Sequence, residues 1–272
     1  MKVRYPEMDF SNLRAHWAKV PEFAHSYNAF STVPAHIEPF LIKVMVKAKK
    51  VLDSKHEQLH KDIEIFNKQE VQHCKQHVAF NKKLYELGYP EMADLEEPYK
   101  NDYERFLKEK SLRFNVAYCE GFEAMGSAAA QVYFEDLAEY LDGADEEAMN
   151  LWKWHLAEEF EHREVCADVY RTLFGSGLFA YFYRVWAFIY ATKHIGAHTK
   201  KVAEYLNAKD RESMSPEELS ASKQREKTLN KKVAKASLKR LMAVFSPFYD
   251  PGKKQMSPGM AEVLASYPDS RS

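Results

Sequence analysis

The chain has 272 residues, and 39 Lys plus Arg nearly cancel 40 Asp plus Glu to leave a formal net charge of −1, which excludes any global attraction for nucleic acid or an anionic membrane. Nine Gly, 11 Pro and 46% hydrophobic residues argue against many short strands with tight turns and for an all-α fold of long helices. Cys74, Cys119 and Cys166 are too dispersed for a disulfide framework or a paired-cysteine metal clip. With no apolar secretion signal at the start, the natural setting is the reducing cytoplasm.

A polar, aromatic-dotted leader covers residues 1–30. Pro34 and Pro39 predict the start of the first long helix, whose apolar side carries Phe40, Leu41, Val44, Met45, Ala48, Val51 and Leu52. After a charged link, a second helix runs until Gly88 and Pro90. The third is expected from Asn101 to Leu141, with the small-residue stretch 126–131 permitting close approach of a neighbour. The fourth opens after Gly143, with Asp145 as its N-cap, and continues to Gly175. These four make a bundle over 31–175. Additional helices over 176–245 follow, one through the aromatic segment Leu173 to Ala191 and one opened by Ser215, Pro216, Glu217 and Glu218. Residues 246–272, rich in Pro and Gly, predict an irregular tail.

Glu three residues before His occurs four times, at Glu22–His25, Glu57–His60, Glu70–His73 and Glu159–His162, where chance gives about one. Positions three and four apart share a helix face, so Glu70, His73 and His77 form one column and His155, Glu159 and His162 another. Each column follows a helix with a glutamate on its apolar side: Glu38 on the first, and Glu120 or Glu123 on the third. One Glu from each of two helices plus an ExxH pair from each of two others is the ligand set of ferritin-like dimetal carboxylate proteins. Bridging carboxylates hold two cations together, and the imidazoles leave positions open for water or dioxygen.

The blocks QEVQHCKQHVAFN, GFEAMG, WKWHLAEEFEHREVCADVY and the late SPFYDP resemble, in order over about residues 30–250, those of the bacterial proteins catalogued as predicted metal-dependent hydrolases. The block around Trp154, His155, Glu158, Glu159, Glu161, His162, Asp168 and Tyr170 is the most specific. The resemblance implies a ferritin-like four-helix bundle with additional C-terminal helices. It also implies Glu38, Glu70, His73, Glu123, Glu159 and His162 as metal ligands, with His77 and His155 as extra ligands or neighbours of ligands; Glu120 stays a further candidate from the residues alone. Two departures are visible: IEPFL stands at Glu38 where the family shows Gly-Glu-Arg-Phe-Phe, and Ala124 follows Glu123 where the family tends to place histidine.

Because histidine–carboxylate dimetal sites in helical bundles commonly activate dioxygen, the residues lead to the expectation of a di-iron, oxygen-dependent oxidoreductase. It would act on a small or lipid-like substrate with an external electron donor. The alternatives are a hydrolase in which two metals, zinc or manganese in place of iron, activate water, and a non-enzymatic ferritin-like metal-binding protein. The HExxH spelling at His56, Glu57 and His60 matches zinc proteases, but its charged surroundings argue for a solvated helix start. The aromatic segment and the basic stretch 229–242 leave homodimerisation and peripheral membrane contact open.

Overall fold

The computed structural model describes residues 1–267, and every regular element among them is helical. In chain order these are α1 (Pro21–Val51), α2 (Glu57–Glu86), α3 (Met92–Glu109), α4 (Leu112–Asp136), the short α5 (Ala138–Leu141), α6 (Glu146–Glu161), α7 (Val165–Phe174), α8 (Leu178–Arg211), α9 (Pro216–Leu241) and α10 (Pro258–Ser266). Short 3-10 turns cover Met242–Phe245 and Pro251–Lys253.

The helices α1, α2, α6 and α4 pack in a ring, each on the next, and α8 lies across α1 and α4. Apolar side chains form two layers along this ring. One gathers Trp17, Phe23, Phe80, Leu84, Tyr133, Trp152 and Leu156; the other gathers Ile37, Phe40, Val44, Ile63, Phe66, Tyr118 and Val169. Full burial of one such Leu or Phe contributes about 1.5–3 kcal/mol, so the two layers can hold together a polar level that would not fold alone. That level lies between them: α1 passes from the first layer to the second around residues 30–38, and α2 from the second to the first around 67–79.

The first helix begins at Pro21, well before the expected start, and runs through both prolines. A proline within a helix frees the carbonyl four residues earlier. The Ala35 carbonyl released by Pro39 accepts a bond from the Cys74 thiol at 3.6 Å, which compensates part of the loss. The third expected helix is divided at Lys110 and Ser111, where Ser111 caps α4 by accepting from the Phe114 amide at 3.2 Å. The fourth is divided at His162. Beyond that break Arg163 donates to the Phe160 carbonyl at 2.6 Å and to the Pro251 carbonyl at 2.9 Å, satisfying a terminal group that the helix leaves open.

The Ser215–Glu218 capping box opens α9 as expected. The tail is more regular than its composition suggests, since 258–266 is helical and packs on α6; the part of the expected tail at 268–272 lies outside the described residues. No helix among the described residues is long and apolar enough to cross a membrane.

Candidate metal centre

Six buried side chains converge at the polar level from four helices: Glu38 on α1, Glu70 and His73 on α2, Glu123 on α4, Glu159 on α6 and His162 at the end of α6. His73 Nδ1 lies 3.8 Å from Glu38, 3.9 Å from Glu70 and 4.0 Å from Glu159. His162 stands 3.1 Å from Glu70 through Nε2 and 3.0 Å from Glu123 through Nδ1. His155, one turn before Glu159, joins them with Nε2 at 3.3 Å from Glu159. Two overlapping groups result, Glu38–His73–His155–Glu159 and Glu70–His73–Glu159–His162, each able to present ligand atoms within 4.8 Å of one another.

Glycine at 126 makes this possible. A Cβ there would stand 2.2 Å from Glu159 Oε2, so any side chain on that turn of α4 would displace the carboxylate. Phe66 and Trp154 meet the rings of His162 and His73 edge-on at 4.9 and 4.8 Å, which fixes their planes.

Whether such a cluster fits metal ions is tested by what its atoms lack. Both carboxylate oxygens of Glu38, Glu70 and Glu159, one oxygen of Glu123, His73 Nδ1 and His162 Nε2 are buried without a hydrogen-bond partner. A buried ionised carboxylate costs several kcal/mol unless compensated, and these atoms lie together where the four helices converge. Burial and the neighbouring carboxylates push the Glu38 and Glu123 carboxyls well above their usual range, and burial raises Glu70 to about 7. His162 rises well above the usual imidazole range: burial opposes its charge, but Glu123 and Glu70 outweigh it. Burial, His155 and His162 lower His73. Without cations the centre therefore retains protons; it fits metal ions by geometry, donor type and charge alike.

A second layer orients the donors. Arg4 of the leader donates to Glu158 at 2.8 Å, and His73 Nε2 meets the other oxygen of Glu158 at 3.0 Å. With that nitrogen protonated, Nδ1 keeps its lone pair toward the carboxylates, the arrangement by which histidine ligands are held for a metal. On the other side Ser31 Oγ meets His77 Nδ1 at 2.8 Å and His77 Nε2 meets His155 Nδ1 at 2.8 Å. Both ring nitrogens of His77 are thus engaged, and it supports His155. Arg4, Ser31 and Glu158 were not singled out as site residues from the sequence. Only the adjacent Glu158–Glu159 pair carried a signal, since consecutive helical residues face different neighbours.

Glu120 does not join the cluster. Three residues advance a helix by about 300°, so Glu120 and Glu123 diverge by about 60°, and Glu120 turns to α8, where Arg184 donates to it at 3.2 Å. The other ExxH pairs are dispersed too. Arg225 holds Glu22 with two bonds of 2.8 and 2.9 Å, and His25 bonds Asp210 at 2.7 Å. His56, Glu57 and His60 lie at the outer start of α2, where Glu57 is exposed, and belong to no metal-capable group among the described residues.

Fold and site together define an all-helical protein with a buried carboxylate–histidine centre able to hold metal. Comparison with family models agrees and is more specific: residues 2–255 match the family described as predicted metal-dependent hydrolase, and the chain belongs to that family. No curated protein matches the chain, and no solved structure does.

Proposed function

We propose that the chain is a hydrolase whose activity depends on two metal ions held by Glu38, Glu70, His73, Glu123, Glu159 and His162, with His155 as a seventh donor, in a bundle of ferritin-like design. The carrying observation is the set of buried, unpartnered donor atoms on four helices, and the family description favours hydrolysis over the oxygen-dependent oxidation expected from the residues alone. Four carboxylates balance the charge of two divalent ions, leaving the imidazoles neutral. Bound there, such ions would lower the pKa of a water and polarise the bond it attacks.

The chain's own groups do the rest. Arg4 and Glu158 hold His73 in one tautomer and orientation. The Ser31–His77–His155 chain holds the His155 ring with its Nε2 toward Glu159. Burial raises Glu158 to about 7, and the opposing pull of Arg4 favours the ionised form that accepts from His73 Nε2. The apolar layers on both sides keep bulk water away from the donors.

A second reading, oxidation by dioxygen at a pair of irons with electrons from an outside donor, draws on the same donor set, which also suits iron. The test is metal analysis with a panel of chromogenic esters and phosphoesters, assayed with and without air. Hydrolysis that needs zinc or manganese, ignores air and disappears in Glu159→Ala supports the proposal. Bound iron with oxygen uptake and no hydrolysis would replace it with the second reading.

A further inference from the structure

We infer that the aromatic half of α8, together with the end of α9, docks on an anionic lipid surface. Phe179, Phe182, Trp186 and Ile189 follow helical spacing along one side of α8 and are exposed by 87, 65, 49 and 38%. Leu178 beside them is 75% exposed. On α9 Lys235, Leu238 and Lys239, and just past its end Met242, recur at the same spacing and are all exposed.

The two stripes are tied together. The 3-10 turn Met242–Phe245 packs on α8 through Phe245 and Phe188, whose rings lie 5.5 Å apart. Tyr181 donates to the Phe245 carbonyl at 2.7 Å, and Arg184 donates to those of Val244 and Ser246 at 2.7 and 3.3 Å. Phe248, two residues on, is 85% exposed. Large apolar side chains gathered in this way on a polar protein mark a contact surface.

Charge selects the occupant. No Asp or Glu occurs between Asp168 and Glu204, nor between Glu226 and Asp250, while the second interval holds Lys227, Lys231, Lys235 and Lys239, beside Lys232 and Arg240, which pair with Glu139 and with Glu135 and Asp136. An aromatic ridge flanked by exposed lysines, Lys235 and Lys239 among them, is the pattern of a helix lying in the lipid interface, where rings sit among headgroups and lysines meet anionic phosphates. A second copy of the chain fits less well, because a two-fold contact would gather the basic flanks of both copies into one interface, where like charges add.

The full-length protein can be tested by flotation with vesicles of phosphatidylcholine alone or mixed with phosphatidylserine. A parallel series carries brominated acyl chains. Trp17, Trp152 and Trp154 are fully buried whereas Trp186 is not, so bromine quenching reports on Trp186. Expected are flotation with phosphatidylserine vesicles, release by high salt and quenching of tryptophan emission. Lys235→Ala and Lys239→Ala should each weaken binding about fivefold, and Phe179→Ser with Phe182→Ser should abolish it while the helical circular dichroism is unchanged. Absence of flotation on the mixed vesicles, or binding indifferent to all four substitutions, overturns the inference. So does a dimer in sedimentation that the phenylalanine variant converts to monomer.

Discussion

Gly126 on α4 and Glu159 on α6 stand so close that a methyl group on the glycine would sit 2.2 Å from the glutamate's Oε2. In a helix interior, Gly→Ala ordinarily stabilises by about 1 kcal/mol. At this position the substitution must move a carboxylate of the centre.

Gly126→Ala is therefore expected to lower metal affinity about 10–100-fold, the range seen when ligand support is disturbed, while the metal-free protein loses little stability. Calorimetric metal titration beside thermal unfolding separates the two effects. Unchanged affinity would show that Glu159 is not held where the ions bind.

Arg4 and Glu158 carry a second prediction. Removing one partner of a buried ion pair costs about 3–5 kcal/mol, and Arg4 is 5% exposed over a fully buried Glu158. Arg4→Ala should lower the thermal midpoint and weaken metal binding together. Glu158→Gln, which keeps the shape but lets the Arg4 contact go uncharged, should mainly weaken metal binding. Full affinity in both variants would detach this pair from the site.

The metal-free protein should lose stability as pH rises from about 6.5 to about 8. Glu70 and Glu158, both raised to about 7, bind protons more tightly folded than unfolded. Their contribution is complete below the ordinary carboxylate range and is lost as pH climbs through the folded value. Lowered histidines such as His73 and His77 act in the opposite sense, but only up to their unfolded value of about 6.5, which sets the lower edge of the window. Thermal midpoints measured across it should fall without metal and flatten with metal; a rise without metal would contradict the assignment.

Glu38→Gln removes one of the carboxylates that oppose one another at the centre. It should stabilise the metal-free chain by about 0.5–2 kcal/mol, the gain common when a functional site is relieved of its strain, and weaken metal binding at the same time. Denaturant unfolding of metal-stripped protein gives the sign directly, and destabilisation would mean that Glu38 serves packing.

What could be read from the sequence was local and periodic. The recurrence of Glu and His at helical spacing brought out Glu70–His73 and Glu159–His162, and Ser215 with Glu218 announced the start of α9. What could not be read depends on tertiary compensation. Pro34 and Pro39 looked like a beginning because nothing in their neighbourhood shows that Cys74 takes up the Ala35 carbonyl. Arg4 gave no signal because its partner Glu158 lies 154 positions away, and Ser31 meets His77 only once α1 packs on α2. Glu120 and Glu123 could not be separated until α8 supplied Arg184 to one of them.

The central claim is that the buried, unpartnered donors of α1, α2, α4 and α6 hold a pair of metal ions. It is tested most directly by elemental analysis of the purified protein beside its Glu159→Ala, His162→Ala variant, with circular dichroism confirming that both are folded. The account predicts about two metal ions per chain in the natural sequence and loss of both in the folded variant. Folded protein that carries no metal and takes up none from zinc, manganese or iron would contradict it.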